Sequence, residues 1–294
     1  MLAYLNGQFL PRSAATISVE DRGFIFGDGV YEVWRVVNGQ LFETERHLDR
    51  LKFGLAELRI TAPDITRTDF LRQIAERLLT ESDLLEGEAT LYVEVTRGGA
   101  PRTHNFPPPG TPPTVYVTVN RFKPPEELRA RGAAAITIPD IRWLRCDIKT
   151  LQLLPNVLAK QAAMEVGATE AWMIRDGVVT EGSHASVIGV IDGVIRTHPT
   201  NNLILPGITR SVVLDIARRA GIPVREDAFT EQDIPRLEEA FLAGTTTDVM
   251  PIVRVNEQVI GNGTPGPITT RLHTAFRAHL DASCAAGHAQ PTTA

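Results

Sequence analysis

Lys149 ends a ten-residue run, Asp140–Lys149, that alternates well enough for a strand and precedes a helical pattern. A lysine held in a desolvated pocket loses basicity and becomes a nucleophile toward aldehydes. By itself it reads more simply as a surface lysine at a strand end. Glu181, in the run Val179–Ser183, stands beside a glycine after a hairpin signal. A carboxylate there could face a pyridine-type nitrogen and keep it protonated, so that the ring withdraws electrons better. Alone, it reads more simply as a solvent-facing glutamate. Pro206–Arg210 opens another helical pattern, where free backbone N–H groups and the helix dipole suit a phosphate. Thr209 is equally an ordinary N-cap. Thr245, Thr246 and Thr247 follow a strand pattern at 240–243 and add hydroxyls and amides, without the Gly-Lys-Ser/Thr ending of a P-loop. Arg102 and His104 alternate in a loop after a strand pattern at 89–95, so in extended chain both face one way. Guanidinium plus imidazole can trap a carboxylate, although exposed Arg and His in a loop are commonplace. Gly27-Asp28-Gly29 is a weak glycine signal. The seven histidines lack paired spacing with cysteines or carboxylates, and no H-E-x-x-H is present, so no metal is expected.

The elements that must position these residues are of two kinds. Asn6-Gly7, Asn38-Gly39, Asp176-Gly177 and Asp192-Gly193 each separate two strand-like runs. Such dipeptides tolerate the positive φ of tight hairpin turns, so the sheets are expected to be largely antiparallel. Leu48, Leu51, Leu55 and Leu58 recur on one helical face, opened by Thr44 and Glu45. Further helices are predicted over 68–79, over 155–166 with Gly167 just past the end, over 209–220 stopped by Gly221, and over about 267–282. The tail after Ala282 is small and polar and is expected to fray. Five of the eight residues of Phe106–Pro113 are proline, which marks a loop. Residues 121–131, with Pro124-Pro125, read as a linker between a smaller α/β domain (1–120) and a larger, cofactor-binding one (132–294) that carries Lys149, with the active site between them.

Composition sets the bounds. The 294 residues suffice for two domains, and 43% hydrophobic with 22% charged residues is ordinary for a globular chain. A net charge of −5 argues against a nucleic-acid surface. No apolar run reaches 18 residues, so no membrane span is expected. No secretion signal is read at the N-terminus. Two cysteines far apart, Cys146 and Cys284, make a disulfide framework improbable and a cytoplasmic location the default.

Taken together, these clusters resemble the class IV, fold-type IV pyridoxal-phosphate enzymes, and most closely the bacterial D-amino acid aminotransferases. The likeness covers Asp21–Val33 (DRGFIFGDGVYEV), His47–Leu51, Arg97–Pro107 (RGGAPRTHNFP), Asp140–Gln161 (DIRWLRCDIKTLQLLPNVLAKQ), Thr180–Ser183 and Gly207–Arg210. The resemblance implies an α/β (α+β) fold of two domains and a homodimer. It implies transamination of D-amino acids with a 2-oxo acid, 2-oxoglutarate or pyruvate, by a ping-pong mechanism. Lys149 would form the Schiff base with pyridoxal 5'-phosphate and shuttle the proton between substrate and cofactor carbons. Glu181 would pair with the pyridinium nitrogen. Arg50, Ile208, Thr209 and Thr246 would hold the phosphate, with Thr245 beside them, and Leu205 would pack on the ring. Tyr31, with Arg102 and His104 of the neighbouring subunit, would bind the substrate carboxylate.

The same comparison separates relatives. Branched-chain L-aminotransferases commonly carry a tyrosine five residues after the lysine, where this chain has Leu154. They lack the Arg-x-His pair; aminodeoxychorismate lyases and R-selective amine transaminases lack it in this form. These L-selective and lyase-like activities are the alternatives. One departure stands out: in Ser183-His184-Ala185-Ser186, His184 replaces an expected serine near the cofactor.

Overall fold

The computed structural model describes residues 1–286, and the chain divides into two compact units. The first comprises Met1–Lys123, Ile148–Gln152 and the segment from Asp281. The second comprises Pro124–Asp147 and Leu153–Leu280.

The first unit is built on an antiparallel six-stranded sheet of β1 (Leu2–Leu5), β2 (Gln8–Pro11), β3 (Gly29–Val37), β4 (Gln40–Leu41), β5 (Glu88–Thr96) and β6 (Thr114–Arg121), in the order β2-β1-β6-β5-β3-β4. Its helices are α1 (Arg22–Phe26), α2 (Thr44–Glu57) and α3 (Thr68–Glu81). Period-2 alternation on β5 buries Leu91, Val93 and Val95 and leaves Tyr92 and Glu94 on the half-buried face. Leu48 and Leu51 of α2 and Leu71 and Leu78 of α3 join Trp34 and Leu91 in one core. Both turn residues of each Asn-Gly pair have positive φ, 48° and 91° at Asn6-Gly7 and 46° and 77° at Asn38-Gly39. That fits the tight hairpins joining β1 to β2 and β3 to β4.

The second unit holds a mixed nine-stranded sheet: β7 (Ala133–Pro139), β8 (Glu170–Arg175), β9 (Val178–Gly182), β10 (Ser186–Ile191), β11 (Val194–Thr197), β12 (Val224–Arg225), β13 (Glu239–Gly244), β14 (Asp248–Val255) and β15 (Gln258–Val259). The order is β12-β11-β10-β13-β14-β7-β8-β9, with β15 on β14. Among the described residues three pairings are parallel, β11 with β12, β14 with β7 and β7 with β8. The rest are antiparallel, including the two Asp-Gly hairpins β8–β9 and β10–β11. Its helices are α4 (Glu126–Arg131), α5 (Leu154–Glu165), α6 (Ile208–Arg219) and α7 (Pro267–Ala286) as far as Leu280.

Several expectations change. Residues 140–149 are not a strand. β7 stops at Pro139, the Asp140 carboxylate accepts the N–H of Arg142 at 3.1 Å and turns the chain, and the Cys146 N–H donates to the Asn202 carbonyl at 2.9 Å. Lys149 belongs to the first unit rather than to the C-terminal one, because its segment bonds to β3. The expected linker holds the end of β6 and all of α4. The last helix continues to Ala286; residues 287–294, on which the rest of the fraying-tail reading falls, lie outside the described residues.

Candidate active site

In the first unit, the Tyr31 N–H donates to the Lys149 carbonyl (3.0 Å) and the Leu151 N–H to the Gly29 carbonyl (3.1 Å). This clips residues 149–151 to the start of β3, where β4 does not reach. Lys149 is half-buried, with Nζ 4.1 Å from the centre of the Tyr31 ring. One residue along β3, Glu32 is fully buried. Arg50 grips it through Nε (2.9 Å) and Nη2 (2.8 Å), and His47 Nδ1 lies 3.0 Å from Oε1. Burial alone would raise the Glu32 carboxyl, but the Arg50 and His47 partners outweigh it and hold the group far below the usual range. Burial lowers His47, partly opposed by Glu32, and Arg50 and Lys149 both add to the lowering. A neutral His47 then carries its proton on Nδ1, since a carboxylate only accepts.

Arg102 and His104 are exposed, and both lie at Phe26: the Arg102 guanidinium carbon is 5.4 Å and the imidazole centre 5.7 Å from that ring. Their loop is pinned from below. Arg22 Nη1 donates to the Thr103 carbonyl (2.7 Å) while its Nε holds Asp28 (2.8 Å). Asp28 also takes two bonds from Arg97, and the Arg97 guanidinium carbon stacks 3.8 Å from the centre of the Phe106 ring.

In the second unit, Glu181 near the end of β9 is buried and accepts from Arg142 Nη1 and, at 3.3 Å to each oxygen, from the Leu205 N–H. Burial pushes its carboxyl up, and Arg142 offsets this only in part. The reason is that Arg142 is shared: its Nε and Nη2 hold Asp140 at 2.9 and 2.8 Å. Two residues beyond Leu205, Gly207 caps α6 with no side-chain hydrogen bond. Thr209 is therefore not the N-cap; it sits buried in the first turn, and Gly207 takes the cap position. A Cβ on Gly207 would stand 2.7 Å from Ser186 Oγ, so only glycine allows this approach. Ser186 is paired with Ala243 on β13, which leads into the turn of half-buried Thr245 and exposed Thr246. Glu181, Leu205, the α6 start with Ile208 and Thr209, and Thr245–Thr246 thus gather at one end of this sheet. The Arg210 side chain turns away to Glu226 (2.9 Å) and the His198 carbonyl (2.8 Å).

Over residues 29–255 the sequence matches the family Amino-transferase class IV. The chain belongs to the class IV aminotransferases. The D-alanine aminotransferase of Bacillus licheniformis is 42% identical over 279 residues, 94% of this chain and 96% of that protein. The D-alanine aminotransferase of Staphylococcus epidermidis is 40% identical over 278 residues, 94% and 97% of the two chains. Among solved structures, a T.th. branched-chain amino acid aminotransferase, complexed with N-(5'-phosphopyridoxyl)-L-glutamate, superposes with a TM-score of 0.84 at 26% identity, covering 96% of this chain and 94% of that one.

Within this class IV aminotransferase, sequence reasoning passed over Glu32, His47, Asp140 and Arg142 as individual actors. A signal for one of them existed: Glu32 shares the buried face of β3 with Val30 and Trp34, and Arg50, on the apolar side of α2, lies between Leu48 and Leu51. Charges on two apolar faces call for each other. His184 is half-exposed, its Nδ1 2.9 Å from Oε2 of the fully buried Glu170. Cys146 is buried, which pushes its thiol up to about 11 and leaves it unreactive. Among the described residues there is no cluster of His, Cys, Asp and Glu that could hold a metal, and no helix is long and apolar enough to cross a membrane.

Proposed function

We propose that this chain is a pyridoxal-phosphate enzyme that transfers the amino group of a D-amino acid to a 2-oxo acid, 2-oxoglutarate or pyruvate, by a ping-pong mechanism. The observation that carries this is the 42% and 40% identity to D-alanine aminotransferases over nearly the whole of each chain. The branched-chain L-amino acid reading rests on a likeness of fold at 26% identity and is the weaker one. The lyase-like reading has no observation of its own.

The residues fit the cofactor. Glu181 is a buried carboxylate whose raised titration marks an incompletely compensated charge, suited to a protonated ring nitrogen. The start of α6, capped by a bare Gly207, offers amide donors and the Thr209 hydroxyl to a phosphate. Ile208, Thr209, Thr245 and Thr246 would hold that phosphate together with Arg50, and Leu205 would pack on the ring. When bound, the cofactor supplies a ring that takes up the electron pair left at the substrate α-carbon.

The chain's own groups do the rest. Lys149 Nζ is the amine that holds the cofactor and, once released, carries the proton from the substrate α-carbon to the cofactor carbon. Tyr31, against Nζ, confines that amine. Glu181 would keep the cofactor's ring nitrogen protonated. Arg102 and His104 take the substrate carboxylate in the neighbouring subunit of a homodimer. Their joint exposure beside Phe26, on a loop fixed by Arg22, supports this. So does an apolar surface on the second unit, where Leu154, Val157 and Leu158 stand at helical spacing on α5, 69%, 58% and 53% exposed. A surface of that kind is suited to cover by a second copy. The two cysteines, both free, accord with a cytoplasmic enzyme.

The test is a half-reaction panel. The yellow holoenzyme, mixed with D-alanine alone, is expected to shift to the pyridoxamine spectrum and release pyruvate, and to recover with 2-oxoglutarate. A faster shift with L-leucine would favour the branched-chain reading. Continued pyruvate release without an oxo acid would favour a lyase.

A further inference from the structure

The half-buried face of the first sheet carries a carboxylate that the reaction does not use. Glu94 on β5 lies opposite Tyr31 on β3 and opposite Tyr116 on β6. Cross-strand partners share a face, so Glu94 stands on the side where the Tyr31 ring meets Lys149 Nζ at 4.1 Å. Tyr92, two residues earlier on that face, has its ring 5.8 Å from that of Tyr31 and 6.4 Å from that of Tyr116. The Tyr92 hydroxyl donates to Glu94 Oε2 at 2.5 Å. Burial, then this carboxylate, raise the Tyr92 phenol, so it stays a neutral donor. Among the described residues Glu94 has no ion-pair partner; its one polar contact is this phenol. The contrast with Glu32 is direct, since that carboxylate is answered by an arginine and a histidine.

A partly desolvated carboxylate without a cation attracts one and repels a second carboxylate. Three phenol rings around it favour the same sign of ligand through their faces. We infer that Glu94, with Tyr92 and Tyr116, selects the substrate side chain: D-amino acids ending in an ammonium or guanidinium group are favoured, and those ending in a carboxylate are disfavoured. The inference rests on the assignment of Lys149 as the reacting amine. Because a 2-oxo acid occupies the same site in the second half-reaction, pyruvate is then a better acceptor than 2-oxoglutarate.

The experiment compares kcat/KM for D-ornithine, D-norvaline and D-glutamate, with pyruvate as acceptor, in the holoenzyme and in Glu94→Gln and Glu94→Asp. D-norvaline lacks the terminal ammonium of D-ornithine and serves as its neutral reference. The wild type is expected to favour D-ornithine over D-glutamate by at least about tenfold, and Glu94→Gln to lose about tenfold of that ratio. Glu94→Asp is expected to keep the sign of the preference. An unchanged ratio in Glu94→Gln overturns the inference, and so does an equal loss in both variants, which would mean packing rather than charge. If Glu94→Gln does not fold, the wild type decides: D-ornithine no better than D-norvaline overturns it. Failure of the underlying assignment looks different, since Lys149→Ala would then keep its borohydride-reducible cofactor link.

Discussion

Glu32 in the first unit and Glu181 in the second are both buried carboxylates, each with an arginine, yet they titrate in opposite directions. Glu32 has Arg50 on both oxygens, His47 on one, and the adjacent Val33 N–H at 2.8 Å. Its partners outweigh the cost of burial. Glu181 has one guanidinium nitrogen, taken from an arginine otherwise committed to Asp140, and one long backbone contact. There burial wins. The lesson is that a buried carboxylate with every partner in place acts as a fastener, whereas one left under-compensated is set up to receive a cation. In the proposed function that cation is the protonated ring nitrogen.

The largest effect is expected at the amine that the first region positions. Lys149→Ala should lose the borohydride-reducible cofactor link and lower transamination by about 10⁴-fold. A reducible link surviving in the purified variant would mean that the wrong lysine has been chosen. The two carboxylates should then separate cleanly. Glu181→Gln should cut kcat by about a hundredfold or more, while its urea unfolding midpoint stays close to wild type. Glu32→Gln should do the reverse and lose about 3–5 kcal/mol of unfolding free energy, because Arg50 is left buried without its counter-charge. Were Glu181→Gln the less stable of the two, the distinction between fastener and receptor would fail.

A mixing experiment sharpens the role of the exposed loop. Lys149→Ala and Arg102→Ala subunits, unfolded and refolded together, should regain about a quarter of wild-type activity if Arg102 serves its neighbour's site. Mixtures as inactive as the parents would place Arg102 in its own subunit's site. The smallest effect is on pH dependence. The Glu32 carboxyl is lowered in the folded state, so its stabilisation is fully present above the ordinary glutamate range and is lost as pH falls through the folded value. The thermal stability of the wild type should therefore fall on acidification more steeply than that of Glu32→Gln. Parallel curves would show that Glu32 contributes nothing there.

Much of the local structure was legible because its causes are local. The four Asn-Gly and Asp-Gly turns needed only residues that accept positive φ, and all four are hairpins. Helix α5 ends where Gly167 takes φ 71°, and α6 stops before Gly221 at 72°. The segment before Lys149 misled because its alternation is real, but the side chains of that alternation are spent elsewhere. Asp140 and Arg142 bond to each other and onward to Glu181, so they form a loop network rather than a ladder. Thr209 misled because an N-cap preference is weak against a close approach between Gly207 and Ser186.

By itself, then, the sequence determined the turns, most helices, the largely antiparallel pairing and the family resemblance. Each depends on residues near one another in the chain or on a run of motifs in order. Only the tertiary structure decided that residues 148–152 belong with the first sheet, that Arg50 is bound to Glu32, and that Glu94 lies without a counter-charge on the face of Tyr31. Those are contacts between residues far apart in the chain. Burial and the count of partners, which set the behaviour of each charge, exist only once the chain has folded.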